Sequence, residues 1–158
     1  MATPLDTRIP PPLWMAAFGL TQWLLAGRPS YRHRPGPLGF FTAGTIGTAS
    51  AVVGIAAVTE FLQRGTTVHP GTPEHASVLV TGRVYRYTRN PMYLALTGTL
   101  VTHAAWLGSP RAVPPVAALA AILTAVQILP EERALQERFG EDYREYMRRV
   151  PRWIGPRR

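Results

Sequence analysis

The sequence predicts an all-α protein, a bundle of about four membrane-crossing helices followed by a C-terminal amphipathic helix on the cytosolic side. Three observations support this prediction. Charged side chains are absent from residues 38–59, 91–108 and 112–129. Each stretch is near the ~20 apolar residues that a helix needs to cross a bilayer. None has the polar face that a core helix of a soluble bundle shows. We expect one membrane domain over residues 1–158, with N-terminal helices in 1–63 and a catalytic half in 64–158.

Each helix has its own features in the sequence. A shorter apolar run over residues 13–26 predicts a first helix, and Pro12 suits its first position, where a missing N–H costs little. The second stretch has small residues at spacings of four, which predicts a close-packing face in lipid, at Ala43, Gly47 and Ala51.

The third and fourth stretches are separated by three residues, Ser109 to Arg111, which predicts a tight antiparallel hairpin. After residue 129 the chain becomes strongly charged and carries apolar residues at helical spacing. This pattern predicts an amphipathic helix on or leaving the membrane surface. Its apolar stripe comprises Leu135, Phe139, Tyr143, Tyr146 and Val150.

The charge pattern indicates a membrane protein with a cytosolic C-terminus. All 17 basic residues are arginines, against 9 acidic residues, for a net charge of +8. With four spans, 13 arginines fall on the side of the C-terminus and 4 on the other. The positive-inside rule therefore predicts a multi-pass protein of the cell (inner) membrane. Because most arginines flank apolar segments and no zinc-finger or RNA-binding motif is present, we expect the lipid bilayer as partner and no nucleic acid.

The composition also restricts the possible chemistry. The chain has no cysteine, which excludes disulfides, zinc-thiolate sites and cysteine nucleophiles. The four histidines are scattered, so we expect no metal site. His103 is the sole titratable group of the third helix, and a neutral, hydrogen-bonded role suits it better than proton transfer.

Two segments carry a recognisable pattern. The first is LVTGRVYRYTRNPMYLA, residues 79–95, and the second, one helical hairpin later, is EERALQERFGEDYREYMRRVPRWI, residues 131–154. Together they resemble the isoprenylcysteine carboxyl methyltransferase and phospholipid methyltransferase superfamily over residues 64–154. Asn90 stands where the isoprenylcysteine enzymes have His. The resemblance implies an integral-membrane methyltransferase that uses S-adenosylmethionine and a lipophilic methyl acceptor.

The same segments contain the groups that S-adenosylmethionine requires. Guanidinium groups pair with a carboxylate, and Glu131 or Glu132 can meet the ammonium or ribose. The hairpin returns both segments to one membrane face. We predict Arg89, Asn90 and Glu132 as catalytic residues. The predicted cofactor-binding residues are Leu79, Val80, Arg86, Arg89, Asn90, Pro91, Tyr93, Glu131, Glu132, Tyr143 and Tyr146.

Simpler explanations exist for each of these residues. Arginines near a membrane anchor to head groups, the glutamates can complement a helix dipole, and tyrosines can form an interfacial belt or pack the tail helix. Two other functions remain open at this stage: a nicotinamide-dependent membrane reductase of the sterol reductase type, and a non-catalytic membrane protein. With Asn90 in place and no His nearby, the sequence favours an acceptor that needs no strong base, although a Glu can serve as one.

Overall fold

A computed structural model describes residues 9–29, 33–63 and 78–155, and these residues form helices joined by short turns, with no strand among them. The α-helices are α1 (Pro11–Leu25), α2 (Pro37–Gln63), α3 (Pro91–Leu107), α4 (Pro114–Leu123) and α5 (Leu129–Arg149). Short 3₁₀ turns cover Arg83–Arg86 and Pro110–Ala112, and one π-helical turn covers Thr124–Ile128. The all-α prediction is confirmed for this part of the chain.

Proline and glycine set the helix ends. Helices α1 to α4 each begin at a proline, whose fixed φ suits a first helical position. Helix α3 ends at Gly108, which adopts the left-handed conformation with φ 62°. The α3–α4 connection is therefore short, as the three-residue spacer predicts.

Two helices of the described residues are long and apolar enough to cross a membrane, α2 and the continuous helical run Pro110–Arg149. Helices α1 and α3 have 15 and 17 residues, about 22 and 26 Å at 1.5 Å per residue. Large apolar side chains point outward from α2, which is typical of a lipid-facing helix and unfavourable in water. They include Leu38, Phe41, Val52 and Leu62.

Small residues bring α2 and α3 close together. A Cβ added at Gly47 would lie 3.1 Å from the Thr102 side chain, and one at Gly54 would lie 3.2 Å from Ala95. Ala43 and Gly47 belong to this packing face as predicted, but Ala51 is exposed and Ser50 is buried instead. A strict spacing of four drifts away from a helix face that repeats every 3.6 residues, which explains the error at Ala51.

The tightest helix approach yields a test of this packing. A Cβ added at Gly39 would lie 2.7 Å from the Ala105 carbonyl oxygen, whereas one at Gly44 would meet nothing within 4 Å. We expect Gly39→Ala to reduce the free energy of unfolding by ~1–3 kcal/mol, because a backbone carbonyl of α3 must move. Gly44→Ala is the matched control and should be neutral or slightly stabilising. Unfolding of both variants in detergent measures the difference, and equal stabilities would contradict the close approach.

A buried polar cluster joins α1, α3 and the 3₁₀ turn Pro110–Ala112. The Gln22 side chain is fully buried and donates hydrogen bonds to the carbonyl oxygens of Leu100 (3.1 Å) and Ala112 (2.7 Å). The Gln22 Oε1 atom lies 2.8 Å from His103 Nδ1. The hydrogen-bonded role expected for His103 is therefore observed.

Helix α5 bends at Gly140, whose φ of 54° and ψ of −121° are accessible to glycine. Beyond the bend, Tyr143 and Tyr146 are buried, and Leu135 and Phe139 pack against the same apolar cluster. Residues 150–154 then leave the helix and run back across the bundle. We call this segment the C-terminal strap, and it lies against residues 88–90.

Candidate active site

A cavity of about 540 Å³ lies where α2, α3, α5 and residues 78–90 meet. It extends from Pro91 to Thr99 along α3, which is about 12 Å at 1.5 Å per residue. Its wall on the α2 side is mainly small or apolar, and consists of Ser50, Ala51, Gly54, Ile55, Val58 and Phe61. Its charged groups come from the loop before α3 and from the start of α5. The cavity thus has a polar end and an apolar extension.

Ten of the eleven predicted cofactor-binding residues line this cavity. They are Leu79, Val80, Arg89, Asn90, Pro91, Tyr93, Glu131, Glu132, Tyr143 and Tyr146. The exception is Arg86, which is exposed and does not line the cavity. It lies in the 3₁₀ turn Arg83–Arg86, and the buried side chain from that turn is Tyr85. The hairpin therefore brings the two halves of the sequence pattern together, as expected.

Glu132 is held between two arginines. Its carboxylate accepts hydrogen bonds from Arg152 Nε (3.0 Å) and Arg152 Nη2 (2.7 Å). Arg89 Nη2 lies 3.2 Å from the Glu132 Oε1 atom. The side chains of Arg89 and Glu132 are 9% and 10% exposed, whereas that of Arg152 is 36% exposed. This network fixes the Arg89 guanidinium at the cavity wall.

Arg89 retains unused hydrogen-bonding capacity. Within the part of the chain that the structure describes, its Nε and Nη1 atoms are buried without a hydrogen-bond partner. A buried donor without a partner is costly, and an acceptor atom of a bound ligand would offset that cost. Because the donor is a guanidinium, an anionic oxygen ligand such as a carboxylate is the best match.

The neighbouring Glu131 has a different environment. Its Oε1 atom accepts a hydrogen bond from the Tyr93 hydroxyl. No arginine among residues 9–29, 33–63 and 78–155 forms an ion pair with it. Glu131 follows the apolar stretch that ends at Leu129, and burial raises its pKa to about 8, with a further contribution from the Glu132 charge. Of these two adjacent carboxylates, Glu132 is therefore ion-paired and Glu131 has no ion pair with the described arginines.

Tyrosines close the remaining side of the site. Tyr146 donates a hydrogen bond of 2.7 Å to the Tyr85 carbonyl oxygen, and its ring lies 6.0 Å from that of Tyr143. Burial raises the pKa of Tyr85, Tyr143 and Tyr146, so these phenols stay protonated and neutral. They act as hydrogen-bonding walls of the cavity.

The C-terminal strap was missed by sequence reasoning. Thr88 Oγ1 and Asn90 Nδ2 each donate a hydrogen bond of 3.0 Å to the Arg152 carbonyl oxygen. The Arg89 backbone N–H donates to the Pro151 carbonyl oxygen at 3.0 Å. Asn90, predicted as a catalytic residue, therefore uses its amide N–H to hold the strap. Pro151, just after α5, could have indicated the strap in the sequence. A proline ends a helix, and the chain beyond it can then fold back over the preceding residues.

Comparison with known proteins agrees with this geometry. The family model for phospholipid methyltransferases matches residues 41–142, more than half of the chain. The chain belongs to the phospholipid methyltransferase family. The matched residues include Arg89, Glu131 and Glu132. They also include most of α2, which lies outside the region of resemblance found in the sequence. The strap lies beyond the matched residues.

The chain is also similar to an uncharacterized protein of Haemophilus influenzae. It is 36% identical over 63 residues, which cover 40% of this chain and 100% of that protein. No solved structure matches the chain. The family assignment therefore indicates a membrane methyltransferase, and the details of cofactor and acceptor depend on the site itself.

Proposed function

We propose that this protein transfers a methyl group from S-adenosylmethionine to a lipophilic acceptor at the membrane, as the isoprenylcysteine carboxyl methyltransferases that it resembles do. The observation that carries the proposal is Arg89, which lines a cavity with a long apolar wall and has two buried N–H groups without a hydrogen-bond partner among the described residues. The family supplies the reaction class, and the cavity supplies both a polar and an apolar binding region.

The residues present fit S-adenosylmethionine. Arg89 can receive its carboxylate, and Glu132 can meet its ammonium or ribose hydroxyls. Leu79 and Val80 offer an apolar wall for the adenine. A volume of about 540 Å³ lies within the usual ~300–1,000 Å³ of small-molecule sites. When bound, this cofactor supplies a methyl group on a positively charged sulfur.

The chain contributes positioning and a dry environment. Glu132 and Arg152 hold the Arg89 side chain in one orientation, so little conformational freedom is lost when a ligand binds. Apolar side chains of α2 and α3 line the other end of the cavity, an environment that disfavours water. Holding two reactants in line in such a site accounts for much of the acceleration in a transfer of this kind.

A membrane arrangement follows from the same proposal. Helices α1 to α4, the last with the π-helical turn, form four membrane segments, and residues 78–90 and 130–155 lie on the cytosolic side. The distribution of 13 against 4 arginines supports this orientation. The amphipathic part of α5 then packs over the cytosolic end of the bundle, and the acceptor enters the apolar part of the cavity from the bilayer.

Cofactor binding to the purified protein tests the proposed function. Calorimetric titrations with S-adenosylhomocysteine and with NADPH, in detergent, separate the three functions that the sequence leaves open. We expect S-adenosylhomocysteine to bind and NADPH not to bind. Binding of NADPH alone would support a membrane reductase, and binding of neither would support a non-catalytic protein.

Labelling of single cysteines tests the topology, and the absence of native cysteine makes the experiment clean. Thr81→Cys and Gly155→Cys should react with a membrane-impermeant maleimide from the cytosolic side. Arg111→Cys, in the exposed turn between α3 and α4, should react from the opposite side. Labelling of Thr81→Cys and Gly155→Cys from opposite sides would overturn the hairpin arrangement.

A further inference from the structure

The two adjacent glutamates of the site differ in their hydrogen-bond and ion-pair partners. Glu132 is occupied by Arg152 and Arg89. Glu131 lines the cavity and has the Tyr93 hydroxyl as its hydrogen-bond partner. Of the two carboxylates, Glu131 is therefore the one whose lone pairs are available to a second ligand in the cavity.

Resting on the proposed function, we infer that Glu131 is a catalytic general base that takes a proton from the methyl acceptor, with Tyr93 as its positioning residue. The acceptor is then a lipophilic molecule whose nucleophilic atom carries a proton, a thiol or an amine, rather than a carboxylate. A carboxylate needs no base, and Glu131 in its ionised form would repel it.

The proposed step balances atoms and charge. The acceptor's S–H or N–H proton moves to a Glu131 oxygen, and the acceptor's lone pair forms the new bond to the methyl carbon. The C–S bond of the sulfonium donor breaks, and its electron pair stays on sulfur as a neutral thioether. The negative charge of Glu131 and the positive charge of the sulfonium disappear together, which a cavity of low polarity favours. Glu131 later releases the proton to water.

The environment of Glu131 suits this role. Its pKa of about 8, raised by burial, lies close to the working pH, where a general base combines adequate ionisation with adequate basicity. The groups facing it are the phenols of Tyr93, Tyr85 and Tyr143 and the carboxylate of Glu132. The hydrogen bond from Tyr93 lowers the pKa of Glu131 and so opposes the effect of burial.

Three acceptors with the same hydrocarbon chain distinguish the chemistries: dodecanethiol, dodecylamine and dodecanoic acid. With labelled S-adenosylmethionine and organic extraction, we expect label in the methylated thiol or the methylated amine and little in the ester. The active one of these two acceptors identifies the nucleophile. Preferential formation of the ester would overturn the inference.

Substitution of Glu131 gives the decisive measurement. Glu131→Gln should lower kcat on the order of 10²- to 10⁴-fold while S-adenosylhomocysteine still binds. Wild-type kcat/KM should rise through about pH 8 and then level, as expected for a base of that pKa, and this inflection should vanish in Glu131→Gln. Glu137→Gln, an exposed change in the same helix, is the matched control and should keep the wild-type profile.

Tyr93→Phe keeps the inference testable if Glu131→Gln does not fold. Loss of the hydroxyl should move the kcat/KM inflection to higher pH, a change that a merely structural role does not produce. An unchanged inflection in Tyr93→Phe, or unchanged turnover in Glu131→Gln, would overturn the assignment. Loss of S-adenosylhomocysteine binding in Glu131→Gln would make Glu131 a cofactor ligand instead of a base. Absence of binding to the wild-type protein would refute the proposed function itself.

Discussion

Arg89→Ala is expected to weaken S-adenosylhomocysteine binding roughly 10- to 150-fold while the protein remains folded. Hydrogen bonds to charged groups contribute about 1.5–3 kcal/mol, which corresponds to this range of affinity. The fold should persist because Glu132 keeps both hydrogen bonds from Arg152 in this variant. Calorimetric titration of the variant in detergent measures the loss.

The control for Arg89 is Arg138→Ala. Arg138 is exposed on α5 and does not line the cavity, so its removal should change affinity less than about threefold. If Arg89→Ala and Arg138→Ala bind S-adenosylhomocysteine equally well, Arg89 is a head-group anchor and the cofactor site is placed wrongly. The comparison therefore separates the functional explanation of this arginine from the simpler one.

Glu132→Gln is expected to lower the free energy of unfolding by about 3 kcal/mol, in addition to weakening cofactor binding. Removing one member of a buried ion pair leaves an uncompensated charge, which costs about 3–5 kcal/mol. Here the Arg89 side chain is 9% exposed and would lose its carboxylate. We expect the lower end of the range, because the Arg152 side chain is 36% exposed and water screens its charge.

Denaturant unfolding of Glu132→Gln measures this loss against Glu137→Gln. Glu137 is exposed in the same helix, and its substitution should change stability by no more than ~0.5 kcal/mol. Equal stabilities of the two variants would show that the ion-pair network contributes nothing to the fold. Sequence reasoning alone predicts Glu132 as a catalytic and cofactor-binding residue, and its hydrogen bonds from Arg152 add a contribution to the stability of the fold.

The contact between Arg89 and Glu132 could be predicted from the sequence. Two apolar stretches of equal length, 91–108 and 112–129, form a hairpin that returns the chain to the end of the bundle where it began. The role of Arg152 could not, since its position depends on the bend at Gly140 and on the path of the strap after α5. The α2 wall was also missed. In a helix as apolar as α2, the residues that line the cavity and those on the outer face are both small or apolar, so periodicity does not distinguish Gly54 from its neighbours.

The strap has a consequence for the way in which the protein is made. Residues 88–90 leave the ribosome about sixty residues before Pro151 and Arg152, the groups to which they bind. Until Arg152 emerges, the Thr88 hydroxyl and the Asn90 amide lack their acceptor, the Arg152 carbonyl oxygen. The Glu132 carboxylate likewise lacks the Arg152 guanidinium. The preceding helices can fold during this interval, but the end of the bundle that carries the candidate site cannot be complete. The candidate site can therefore form only after Pro151 and Arg152 have been synthesised, although most of its lining comes from earlier residues.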